Sequence, residues 1–255
     1  MSSSSIALLL LTALAFMQAP GDAPRRFASR ALAVEASCRF VPVKGPATDT
    51  CVLATVAADP MHVVVYDRSR DGYIAANEMA IPSWSGAAKL SFEDVLGAGT
   101  DWLAIDTVGM HGTGIFQRAL LVVAWDGTSF RTVAAESLGY RCSRPTAPAD
   151  YELQVTHSFA TTSGSRTLQL QYDLTRDKQA IGRWCDSLRW NAAQFAFVPV
   201  PPTVDVSNPM IEGIRERIAR VRDYAITRPL DPIDGSNRWL GDSGMMNVLD
   251  PVCVQ

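Results

Sequence analysis

The feature that most constrains this fold is a hairpin signature that occurs twice. Val123-Ala-Trp-Asp-Gly-Thr-Ser-Phe-Arg-Thr-Val133 and Leu188-Arg-Trp-Asn-Ala-Ala-Gln-Phe-Ala-Phe-Val198 share the spacing W-[D/N]-x-x-x-F. An Asp-Gly between β-prone runs is a strong short-range hairpin signal, because glycine supplies the positive φ of the turn. The spacing sets one aromatic on each arm near the reversal, where cross-strand contact stabilises the pair. Tyr66-Asp67 to Tyr73 is a looser third echo, and the turns recur about sixty residues apart, which suggests blade-like units. Three units are fewer than a closed propeller requires. The chain is therefore expected to be mainly β. Its antiparallel sheets would be built from repeated hairpins, as a partial propeller or a sandwich-like stack, followed by one C-terminal amphipathic helix.

The remaining strands follow from pattern. Trp102-Leu-Ala-Ile105 and Ala119–Trp125 are apolar runs suited to buried strands. Between them, Gly109-Met-His-Gly-Thr-Gly114 carries three glycines in six residues, which predicts a loop bearing His111. Tyr151, Leu153, Val155, His157 and Phe159 alternate with polar residues, as do Leu168, Leu170, Tyr172 and Leu174. That pattern predicts an antiparallel hairpin with one wet face and makes His157 a core or rim histidine. The prolines from Pro199 to Pro202 end the β region, since proline cannot donate to a ladder. Asn208-Pro209 then caps a helix with Ile211, Ile214, Ile218, Val221 and Ala225 on one stripe. Arg215, Arg217, Arg220 and Arg222 lie mostly off that stripe among Glu212, Glu216 and Asp223, which reads as the solvated face of a docked helix.

The expected organisation is a signal peptide over 1–19, a linker over 20–36, an antiparallel β domain over 37–206, and a helix with an irregular tail over 207–255. Ile6–Met17 is apolar for twelve residues, too short to span a bilayer and the right length for a secretory core. The n-region lacks Lys and Arg, and arginines follow closely; both depart from the usual pattern. The five cysteines form no C-x-x-C pair, which fits export better than zinc. Cys38 and Cys51 flank a short turn region and are expected to staple a hairpin. Cys142 with Cys185 is the next expected pair, leaving Cys253 odd, although five cysteines permit other pairings. A formal net charge of −3 offers nucleic acid and anionic membranes no electrostatic footing.

One stretch offers a metal. Asp67, Ser69 and Asp71 place oxygens at positions 1, 3 and 5 of an EF-hand-type loop, Gly72 makes its turn, Tyr73 lends a carbonyl at 7, and Glu78 closes it at 12. A β-branched run precedes it in place of a helix, and Ala75 gives position 9 no side-chain oxygen. The competing reading is a β-hairpin turned by Arg70-Asp71-Gly72. Asp94-Val-Leu-Gly-Ala-Gly-Thr-Asp101, followed by an apolar strand, resembles the FG-GAP/VCBS-type blade motif of integrin-α-like β-propellers. In that family an Asp-rich loop ahead of the strand binds calcium. Asp94, Gly99 and Asp101 match the motif, whereas Leu96 and Ala98 stand where oxygen ligands belong. The resemblance thus implies the strand-loop-strand shape without a metal there.

No catalytic set is complete. Gly241-Asp-Ser-Gly244 resembles the nucleophile motif of chymotrypsin-like proteases, but no histidine has the matching context. His111, with Asp101 and Asp106 nearby in sequence, could serve as a general base. The sequence therefore points to a secreted or periplasmic, non-catalytic binding or adhesion-type β module with an extracellular ligand or protein partner. Such a module could carry one structural calcium ion. A small extracytoplasmic hydrolase using the His111 loop is the alternative.

Overall fold

The structure is a computed structural model that describes residues 38–55, 61–81, 88–112, 114–143, 149–162, 164–201, 208–227, 230 and 249. The proposed signal peptide and linker, Cys253 and the Gly241–Gly244 motif lie outside the described residues. The fold is mainly β, with two antiparallel sheets and one helix. The first sheet runs in the order β1 (Arg39–Phe40), β2 (Thr50–Thr55), β3 (Met61–Ser69), β4 (Gly72–Ile81). The second contains β5 (Lys89–Glu93), β6 (Trp102–Gly112), β7 (Ile115–Trp125), β8 (Phe130–Cys142), β9 (Tyr151–Thr162), β10 (Ser165–Arg176), β11 (Gln179–Asn191) and β12 (Ala196–Pro199). Its strands are also neighbours in sequence order, so both sheets are simple meanders.

The eight-stranded sheet has a seam. β8 and β9 pair only from Gly139 to Cys142 against Tyr151 to Gln154, whereas β9 and β10 pair along their whole length. Two four-strand halves, β5–β8 and β9–β12, are thus hinged at one corner and folded onto each other. Trp102 of β6 meets Trp190 of β11 at 4.8 Å and Phe197 of β12 at 6.2 Å between ring centroids. The sheet curls without closing, because β5 and β12 remain its two ends. Counted with β1–β4, the chain is a series of four-strand meanders. The aromatic-turn motif falls each time on the hairpin between third and fourth strands: β3–β4, β7–β8 and β11–β12.

In β7–β8 and β11–β12 the recurrence has a shared local cause. Asp126 Oδ1 accepts hydrogen bonds from the amides of Thr128 and Ser129, both at 2.8 Å, while Trp125 and Phe130 meet at a tilt across the turn, 5.0 Å apart. Asn191 Oδ1 accepts from the amides of Ala193 and Gln194 at 3.0 and 3.2 Å, and Trp190 meets Phe195 at 5.3 Å. A short polar side chain satisfies the turn amides, and the aromatic pair closes the hairpin above it.

The glycine-rich segment Gly109–Gly114 corrects an expectation. It is not a loop: β6 continues through His111 to Gly112, with His111 opposite Phe116 of β7. A register shift between Val108 and His111 absorbs an extra residue as a bulge, and Gly114, at φ +75°, takes the reversal. Neighbouring strands supplied the ladder that local glycine content argued against.

The helix α1 (Pro209–Thr227) begins where expected. Asn208 Oδ1 accepts from the Met210 amide at 3.0 Å, a side-chain cap with Pro209 in the first turn. The stripe Ile211, Ile214, Ile218, Val221 and Ala225 is buried. The helix lies along β8 and reaches β11, where a Cβ on Gly182 would stand 2.7 Å from Ile211 Cδ1. Arg222 departs from the expected solvated face, being only 4% exposed.

Cys38 and Cys51 form a disulfide with Cα atoms 5.4 Å apart, stapling β1 to β2 as the sequence suggested. The Cys142–Cys185 pairing is corrected: Cys142 is buried in a disulfide, whereas Cys185 is free and exposed. The continuous ladder at that corner carries Cys142 to Tyr151, Arg176 and Gln179 in turn, and Cys185 lies further along β11, beyond the reach of a disulfide.

Candidate functional site

The Asp67–Glu78 segment folds as the β3–β4 hairpin. Asp67 lies on a strand and its carboxylate takes both oxygens' hydrogen bonds from Lys44 Nζ, at 2.8 and 2.7 Å. Glu78 stands opposite Val64, three ladder positions from the Asp67–Ile74 pair, about 10 Å along the strand. Its Oε1 faces His62 Nδ1 at 3.2 Å. Ser69 pairs with Gly72, and Tyr73 is buried with Tyr66 and Cys51. An EF-hand loop wraps its ligands round one point; a regular ladder spreads them along its length. Among the described residues no group of three or more His, Cys, Asp or Glu could hold a metal ion.

Asp94 behaves likewise. Its carboxylate accepts hydrogen bonds from the amides of Ala98 at 2.9 Å and Gly99 at 2.8 Å. Those amides, the Gly99 bond foremost, hold its carboxyl below the usual carboxylate range. Gly97 and Gly99 adopt φ near +70° to make the turn. The loop's own backbone occupies the acid that a blade-type loop would offer to calcium.

The titratable groups fall in three places. In the interior, Glu136 of β8 and Arg222 of α1 form a bidentate pair, Nε to Oε1 at 2.5 Å and Nη2 to Oε2 at 3.0 Å. Tyr172 Oη donates to Glu136 Oε2 at 3.5 Å, and its ring stacks on Trp184 at 4.9 Å. Burial pushes the Glu136 carboxyl up, with Arg222 opposing; burial also raises Tyr172 well above the usual phenol range. Arg215 donates to Asp186 at 2.9 Å nearby. This network docks the helix.

At the mouth between the two halves, His157 of β9 is exposed beside Phe159, with ring centroids 6.4 Å apart. Glu93, Asp106 and Arg118, from β5, β6 and β7, lie within electrostatic reach of it. Partial desolvation outweighs the two carboxylates and lowers its pKa. Asp106 is already engaged by Arg118. His157 is thus a rim histidine.

The third place is a cleft of about 370 Å³ where three reversals meet. Gly114 of the β6–β7 turn, Arg141 and Ser143 at the end of β8, Asp150, Tyr151 and Glu152 at the start of β9, and Thr175 and Lys178 of the β10–β11 hairpin line it. Ser143 N donates to Gly114 O at 2.7 Å; Asp177 N donates to Asp150 O at 2.7 Å, and Asp150 N to Asp177 Oδ1 at 3.0 Å. These bonds tie the walls together. Asp177 and Lys178 both have positive φ, +48° and +66°, the twist of a two-residue reversal normally given to Asn and Gly. Glu152 Oε1 accepts from Gln154 at 3.0 Å. The side chains of Arg141 and Lys178 have no hydrogen-bond or ion-pair partner among the described residues.

Sequence reading found neither the cleft nor the buried pair. Its candidates His111 and Asp67–Glu78 lie on strands, and Asp101 opens β6 beside the first sheet, its amide donating to Pro42 O at 3.2 Å. Comparison with protein-family models, curated proteins and solved structures found no match.

Proposed function

We propose that the protein is a secreted or periplasmic, non-catalytic binding module of stacked, blade-like four-strand units. Its ligand site is the Arg141–Lys178 cleft, and the ligand carries a carboxylate or phosphate. The pair of cations, unpartnered among the described residues, carries the reading. They share one opening whose volume falls in the usual ligand-pocket range of about 300–1,000 Å³. A guanidinium presents a planar fork and an ammonium a point charge, a combination suited to an oxyanion. Asp150 and the Tyr151 ring beside them would select for shape and for a neighbouring donor. The disulfide between Cys38 and Cys51 supports an oxidising compartment, as does the short apolar run at Ile6–Met17. No helix among the described residues is long and apolar enough to cross a membrane. The four-strand period of the hairpins supports kinship with blade-type modules.

Isothermal titration of the mature chain with acetate, citrate, inorganic phosphate and pyrophosphate tests the site. At least one should bind, and Arg141→Gln or Lys178→Gln should each weaken it about tenfold, near 1.4 kcal/mol. Binding by none of the four anions, or binding untouched by both substitutions, would sink the proposal.

A further inference from the structure

Sheet edges invite another strand, and proteins normally block them with charge, proline, brevity or a bulge. The terminal edges here are all blocked. β1 has two residues; β12 has four and ends in Pro199. β5 has five and carries Lys89 and Glu93. β4 is long, but it carries Glu78 and a register shift at Ala76, between the Val65–Asn77 and Tyr66–Ala75 pairs. At the seam, Phe130–Leu138 of β8 is almost wholly buried, with α1 along the strand.

The seam side of β9 is different. From Val155 to Thr162 no described strand pairs with it on that side. Its ladder with β10 runs without a shift, so the edge is regular. The sequence, Val-Thr-His-Ser-Phe-Ala-Thr-Thr, contains no Lys, Arg, Asp, Glu or Pro. Thr156, His157, Ser158 and Thr161 are exposed.

We propose that β9 is a self-association edge: two copies of this chain join antiparallel along Val155–Thr161. Main-chain pairing carries little sequence preference, so the matching partner is a strand equally free of blocking devices. Among the described strands, β9 of a second copy is the one that qualifies. A two-fold axis at Ser158 brings Thr156 opposite Ala160 and His157 opposite Phe159, with no like charges facing. The last pair is an aromatic cross-strand contact of the stabilising kind. The contact is isologous, so it closes at two copies, and the blocked edges elsewhere prevent a growing chain.

The test is sedimentation equilibrium of the full mature chain in a Cys185→Ser background, which removes the exposed thiol as a source of covalent dimers. A monomer–dimer equilibrium below about 500 μM is expected. Thr156→Lys with Ser158→Lys should weaken it at least about tenfold by placing lysines along the shared edge. Gln169→Lys, on exposed β10 surface, should leave it unchanged, and circular dichroism should show all variants folded. A chain that stays monomeric throughout overturns the proposal. So does a dimer indifferent to the paired lysines, or an edge whose amide exchange slows only when a foreign extended peptide is added.

Discussion

The buried Glu136–Arg222 pair makes an asymmetric prediction. Its side chains are 0% and 5% exposed, so neither charge has water to fall back on. Removing one member of such a pair costs about 3–5 kcal/mol, because the other is left uncompensated. For a chain of this size each kcal/mol moves the melting midpoint by about 2–4 °C, so either single substitution should lower it by roughly 6–20 °C. The two losses should differ with pH. In Arg222→Met the remaining carboxyl can take a proton, and burial already pushes it that way. A carboxyl whose folded pKa is raised stabilises the fold below its unfolded pKa, and that contribution is lost as pH rises through the folded pKa. The deficit of Arg222→Met relative to wild type should therefore shrink from pH 8 toward pH 5, by at most about 1.4 kcal/mol per pH unit. In Glu136→Gln the guanidinium stays charged at any working pH, so that variant's own stability should carry no slope from this site.

Urea unfolding of wild type, both single variants and Glu136→Gln/Arg222→Met at pH 5, 6.5 and 8 measures all of this. The double variant should lose less than the sum of the singles, leaving a coupling energy of several kcal/mol. Additive losses, or a pH slope in Glu136→Gln that matches Arg222→Met, would refute the view that desolvated charge dominates here.

Two further outcomes follow from the hairpins. Asp126 accepts the turn amides of Ser129 and Thr128, which hold its pKa at about 2. Its contribution is complete above the unfolded pKa near 4 and is lost as pH falls through about 2. Asp126→Ala should cost about 1–2 kcal/mol at pH 7, and chemical denaturation should show that deficit shrinking below about pH 4 and gone by about pH 1. Lys44 Nζ is held by Asp67 and also lies 4.7 Å from the centre of the Trp125 ring, tying the first sheet to the β7–β8 hairpin. Lys44→Met should cost about 1–2 kcal/mol and speed amide exchange at Val123–Thr132; unchanged exchange would mean the two sheets do not depend on it.

What was legible in the sequence was local. The W-[D/N]-x-x-x-F turns need six residues and their own side chains, and both reverse where read, although Phe195 sits in the turn at φ +51° where Phe130 sits on the arm. The helix stripe and Asn208 cap are likewise within one element, and Cys38–Cys51 spans one short hairpin. The misreadings are non-local. Glycines in Gly109–Gly114 argued for a loop because nothing nearby announces that β7 will pair with them. Glu136 and Arg222 lie 86 residues apart, yet each left a trace. Glu136 interrupts the small-residue run Val133-Ala-Ala-Glu-Ser-Leu138, and Arg222 adjoins Val221 on the buried stripe. The Arg141–Lys178 cleft left no trace, because it draws on three reversals brought together only by the meander.

The two ends of the stack are finished by different means. Stacked repeats need terminal faces that do not invite another repeat. On the β9–β12 side, Gln169, Gln171, Arg183 and Arg189 are exposed and Arg183 engages Asp173, so polarity does the work. The far face of the first sheet is apolar near the disulfide, where Cys51, Tyr66 and Tyr73 form a small cluster apart from the main core, with Leu53, Val64 and Ala75 packed against it, and polar further along, where His62 meets Glu78. There Phe40 packs at a tilt against Tyr73, ring centroids 5.5 Å apart, and the Cys38–Cys51 bond fixes the short strand that carries Phe40. A strand of two residues could not hold that lid by hydrogen bonding alone. The disulfide therefore caps the apolar part of that face, which the His62–Glu78 pair further along the ladder leaves uncovered.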